Sequence, residues 1–66
     1  MKIIDNKNTE HKINLKDILS VDYYHENKTP YLLIKLKDRE LNICYADYFK
    51  DIYEYCLKHN VSFNLK

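Results

Sequence analysis

Between residues 17 and 45, apolar side chains recur at every second position in three successive runs, DILSVDYYH, PYLLIKLK and ELNICY. A period of two marks strands with one buried face. The runs are joined by two short polar stretches, ENKT and DR. With ENKT as a four-residue loop, His25 faces Pro30, and Tyr23 meets Leu32, Val21 meets Ile34 and Leu19 meets Leu36. With DR as a two-residue turn, Lys37 faces Glu40, and Leu36 meets Leu41, Ile34 meets Ile43 and Leu32 meets Tyr45. Two independent turns thus predict one apolar face, which a slip of one residue would destroy.

The flanks are different. KII (2–4) and HKINL (11–15) read as further short strands around the polar turn DNKNTE, with Ile13 and Leu15 on one side. From Ala46 the period lengthens: Phe49, Ile52, Tyr53 and Cys56 form a helical stripe in ADYFKDIYEYCLKHN. Asp47 at its start and Lys58 and His59 at its end suit the helix dipole, and Asn60 is a left-handed stop. VSFNL (61–65) alternates again as a last strand. Strands followed by one helix predict an α+β fold, a small antiparallel β-meander of three to five strands with a C-terminal helix packed on one face. Sixty-six residues make one domain.

Tyr23 and Tyr24 cannot both face that core, since neighbours in a strand point to opposite faces. Tyr24 is the outward one, opposite Tyr31 in the predicted register. Leu33 falls beside Cys44, Ile18 lies at the far end of the same outer face, and Asp22, Ser20, Lys35 and Asn42 form a polar rim. An aromatic and aliphatic centre with a polar rim is how many protein interfaces are built. Tyr24, Tyr31, Leu33, Ile18, Cys44 and Lys35 are therefore the candidate partner-binding residues, for another protein or a second copy of this chain. Two plainer readings compete: a Tyr–Tyr cross-strand pair stabilises a hairpin by itself, and the N-terminal segment or VSFNL, folded over this face, would make it internal.

Other chemistry finds little support. Cys56 and His59 have C-x-x-H spacing, yet Cys44 and His25 complete no paired ligand set, so no metal or cofactor is expected. No convergent nucleophile, base and orienting group argues for a catalytic residue, and a chain without glycine has no phosphate-cradling loop of the usual type. The alternative function is single-stranded nucleic-acid binding, with Tyr24 and Tyr31 stacking on bases between Lys35 and Lys37. Against it, charge is balanced at 11 basic and 10 acidic residues, and Asp22, Glu26, Asp38 and Glu40 share the region.

The first residues hold no apolar leader, and no stretch approaches a membrane span. A cytoplasmic protein with two free thiols, Cys44 and Cys56, is expected. Lys, Asn, Ile and Tyr, all with AT-rich codons, supply 31 of 66 residues, which suits a phage or mobile-element gene.

INLKDILSVDYY (13–24), followed by two strands and the helix DYFKDIYEYCLKHN (47–60), is similar to the second half of bacterial PH-like domains. There an I-x-L-x-D-I-x-x-V strand leads through a meander to a closing helix. The resemblance implies a binding scaffold without catalysis and carries over no ligand-binding residue. The expected function is a small non-catalytic interaction module, a regulator or inhibitor acting through an exposed sheet face or by self-association.

Overall fold

A computed structural model describes residues 1–44 and 48–66. Its elements are β1 (Lys2–Ile4), β2 (Glu10–Lys12), β3 (Ile18–Glu26), β4 (Thr29–Leu36), β5 (Glu40–Cys44), α1 (Phe49–His59) and β6 (Ser62–Leu65). The protein is a small α+β domain with a β1–β2 hairpin and a four-stranded sheet in the order β5-β4-β3-β6. The meander β3-β4-β5 is antiparallel, and β6 lies parallel to β3. A parallel neighbour needs a crossover, and α1 lies on the path from β5 to β6. Among the described residues, no helix is long and apolar enough to cross a membrane.

The β3–β4 hairpin turns without glycine. Pairing of β3 with β4 runs through His25↔Pro30 to Glu26↔Thr29, which leaves Asn27 and Lys28 as the turn. Both have positive φ, 52° and 65°, the pairing of left-handed residues that follows the twist of a two-residue hairpin. Asn60 ends α1 with φ 56°, its amide donating to the Cys56 carbonyl. Here asparagine supplies what glycine usually does.

Two details correct the predicted registers. In β3, Ile18 pairs with Leu36 and Ser20 with Lys35, so Leu19 is an extra residue in a bulge. A bulge resets the alternation. Ile18, expected on the outer face, is buried at 5% exposure, while Leu19, expected to meet Leu36, is 58% exposed. A single 3-10 turn, Leu15–Asp17, leads into the strand, capped by Asn14, whose side chain accepts from the Lys16 amide.

The β4–β5 turn is the second correction. The Leu36 amide donates to the Arg39 carbonyl at 2.8 Å, so Lys37 and Asp38 form the turn instead of Asp38 and Arg39. The turn side chains explain the choice. Lys37 Nζ lies 3.9 Å from the Asp17 carboxylate, and the Arg39 guanidinium donates to Asp38 and to the Lys12 carbonyl. Ile34 now pairs with Leu41 and Leu32 with Ile43. The shift is two residues, so every side chain keeps its face. Tyr45, expected opposite Leu32, lies outside the described residues, as do Ala46 and Asp47 of the predicted helix start.

One core results. Val21, Leu32, Ile34, Ile43 and Ile52 are fully buried, with Cys56 at 1% and Ile18, Leu36 and Leu41 nearly so. Ile3, in the middle of β1, and Ile13, just past β2, join the same cluster. The Ile4 amide donates to the Tyr48 hydroxyl, tying the hairpin to the start of α1. At the β6 end, the Phe49 ring lies 5.2 Å from Tyr23 and 5.7 Å from Phe63, both edge-on. Tyr53 stacks on Phe49 at 5.5 Å and meets Phe63 at 5.1 Å. This aromatic group fastens helix to sheet.

Candidate functional site: the outer face of the sheet

The registers lay out the outer face as three rows across the strands. Tyr24, Tyr31 and Cys44 make the first; Asn64, Asp22, Leu33 and Asn42 the second; Ser62, Ser20, Lys35 and Glu40 the third. Five of the six predicted site residues lie here. Ile18 does not, because the Leu19 bulge turns it into the core. Leu33 faces Asn42 and not Cys44, since the shifted turn puts Cys44 opposite Tyr31.

Tyr24 and Tyr31 stack with ring centroids 5.5 Å apart and planes 24° from parallel. The Tyr24 hydroxyl accepts a 2.8 Å hydrogen bond from the Asn42 side-chain amide. Asn42 is on β5 and Tyr24 on β3, so the tyrosine reaches over β4 to a strand two places away. That bond and the stacked neighbour hold the ring in one arrangement, which lowers the entropy a partner would have to remove. In the second row, the Asn64 amide donates to the Asp22 carboxylate at 2.9 Å, fixing the polar border on the β6 side. Sequence reasoning treated Asn42 as rim and missed Asn64. The alternation of VSFNL carried the signal for the second, but its parallel place beside β3 was not visible.

Tyr24, Tyr31 and Leu33 are half-buried, and Cys44 and Lys35 are exposed. Both segments expected as possible covers are used elsewhere: KII contributes Ile3 to the core, and VSFNL extends the sheet at the β3 edge. Lys35 stands opposite Glu40 in the register, and Lys37 lies in the turn beside Asp17. The face thus has an aromatic and aliphatic centre with charges of both signs around it.

The titratable groups that interact most closely lie away from this face. Asp5 Oδ2 and His11 Nε2 are 2.6 Å apart, and Asp5 Oδ1 accepts from the Lys7 and Thr9 amides. The His11 hydrogen bond, followed by that from Thr9, holds the Asp5 carboxyl below the usual carboxylate range. Both side chains belong to the β1–β2 hairpin, His11 on β2 and Asp5 in the turn, where the aspartate organises the loop. Burial pushes the Cys56 thiol up. Among the described residues, no three His, Cys, Asp or Glu side chains are grouped to hold a metal ion. The outer face combines half-buried Tyr24, Tyr31 and Leu33 with an exposed thiol and a polar rim. Compared with family models, curated proteins and solved structures, the chain has no match.

Proposed function

We propose that the protein is a small non-catalytic interaction module, a regulator or inhibitor that binds another protein through the outer face of its sheet. The observation that carries this reading is Leu33, half-buried in the row beside the stacked Tyr24–Tyr31 pair. A tyrosine pair alone serves a hairpin. A leucine on the same open face has no such role and fits the centre of an interface. The resemblance of residues 13–60 to PH-like domains is in keeping with a binding scaffold.

The experiment is affinity capture from lysate of the source cells, with wild type, Leu33→Asp and Lys16→Ala as baits. Wild type and Lys16→Ala are expected to retain one partner that Leu33→Asp loses, with the melting temperature of all three nearly equal. A charge at a desolvated interface centre is poorly tolerated, whereas on a solvated face it costs little. Titration of a labelled single strand at two salt concentrations provides the contrasting arm. If Tyr24→Ala and Tyr31→Ala each remove about 1–3 kcal/mol of strand affinity, with steep salt dependence, the face binds nucleic acid instead. Capture indifferent to Leu33→Asp would remove the outer face from the function.

A further inference from the structure

The two edges of the four-stranded sheet are treated differently. On β5 the Asn42 carbonyl, which faces outward, accepts from the Asn6 amide at 3.3 Å, so the β1–β2 turn meets that edge at its middle residue. On β6 the Lys66 amide donates inward to the Tyr23 carbonyl. Backbone groups alternate in direction along a strand, so Asn64 also bonds toward β3. Phe63 and Leu65 therefore turn their N–H and C=O groups away from the sheet. Among the described residues, no hydrogen bond reaches these groups.

Natural sheets protect such an edge with lysine, proline, a bulge or a covering segment. VSFNL has no charge and no proline, and β6 pairs with β3 without a bulge. Exposed apolar side chains accompany the edge. Leu65 is 75% exposed, Tyr53, against Phe63, is 38% exposed, and Leu57, one turn further along α1, is 65% exposed.

We infer that β6 is a self-association edge, pairing antiparallel with β6 of a second copy about a two-fold axis normal to the sheet through Asn64. That axis sets Phe63 opposite Leu65 of the second copy, and Leu65 opposite its Phe63. These are the residues with outward backbone groups, and each pair exchanges two hydrogen bonds. Both pairs are apolar and share the face that carries Tyr53. On the other face Asn64 meets its own symmetry mate, and Ser62 meets Lys66 of the second copy. Every pair matches in polarity, which is what selects a second copy over an unrelated strand: an isologous contact must complement itself. The product is an eight-stranded sheet. A four-residue strand with a few flanking side chains belongs at the small end of interfaces, below about 1,200 Å², so the dimer is in concentration-dependent equilibrium with monomer. Both outer faces then lie on one side of the joined sheet, although the edge contact stands independently of what that face binds.

Sedimentation over a range of concentrations tests this with the full chain. The parent is expected to pass from monomer to dimer as concentration rises. Leu65→Pro removes an outward donor that β3 does not use, and Leu65→Lys places a charge at the edge. Each should weaken dimerisation at least tenfold, while Leu33→Asp leaves it within twofold. Amide exchange supplies a readout that needs no variant: protection of Phe63 and Leu65 should grow with protein concentration, while that of Asn64 stays constant. A parent monomeric at its highest soluble concentration would overturn the inference. So would a dimer lost in Leu33→Asp and kept in Leu65→Pro, which would assign self-association to the outer face.

Discussion

Cys44 and Cys56 are the same residue in opposite settings, and their chemistry should follow the setting. Cys44 is exposed in the first row of the outer face; Cys56 is on the buried side of α1, where burial raises its thiol pKa. The thiolate is the reactive form, so a thiol reagent should label Cys44 much faster than Cys56 in the native protein, as mass spectrometry over time would show. Equal slow labelling would mean that the outer face is covered. Asp5 makes a second prediction. Its carboxyl, held low chiefly by His11, binds a proton less readily folded than unfolded. Its contribution is therefore complete above the ordinary carboxylate value and is lost as pH falls through the lower native value, below about pH 4. Asp5→Asn should lower stability at neutral pH and flatten its decline in acid, as urea unfolding at several pH values would report. An unchanged acid slope would contradict the assignment.

At the scale of elements, turns decide the details that periodicity leaves open. The alternation of 17–45 was enough to predict three strands, their antiparallel order and the inward set Val21, Tyr23, Leu32, Ile34, Leu36, Leu41 and Ile43. It could not separate the Lys37–Asp38 turn from Asp38–Arg39, because a two-residue shift preserves faces and the partners that choose, Asp17 and the Lys12 carbonyl, are distant in sequence. It also could not see the Leu19 bulge, since Ile18 and Leu19 are equally apolar and the preceding 3-10 turn sets the phase. Of the candidate site, Tyr24, Tyr31, Leu33, Cys44 and Lys35 were legible by parity alone. Asn64 was not, because nothing local announces a parallel neighbour. The Asn27–Lys28 turn offers a test at this scale. Lys28 has φ 65° with a side chain that disfavours it, so Lys28→Gly should stabilise the protein by about 1 kcal/mol or less, the relief being partly offset by glycine's entropy. A fall in melting temperature would show that the lysine has a role beyond its backbone angle.

For the whole molecule the core is small and drawn from β1, β3, β4, β5 and α1 together, so single defects should act globally. Ile34 is fully buried between Val21 and Leu41 in the registers. Ile34→Ala should cost about 2–5 kcal/mol from lost transfer energy and the cavity left behind. In a domain of this size that lowers the melting temperature by about 10 °C or more; a variant melting within a few degrees of the parent would mean that the sheet packs by its other face. The parallel placement of β6 has a different consequence, in the order of synthesis. A ribosome delivers β3, β4 and β5 well before Ser62–Leu65, so for that interval the strand destined for the middle of the sheet is an outermost one. Nascent chains with such open strands are prone to pair with one another. The arrival of Ser62–Leu65 thus moves the open edge from β3, the middle of the finished sheet, to β6.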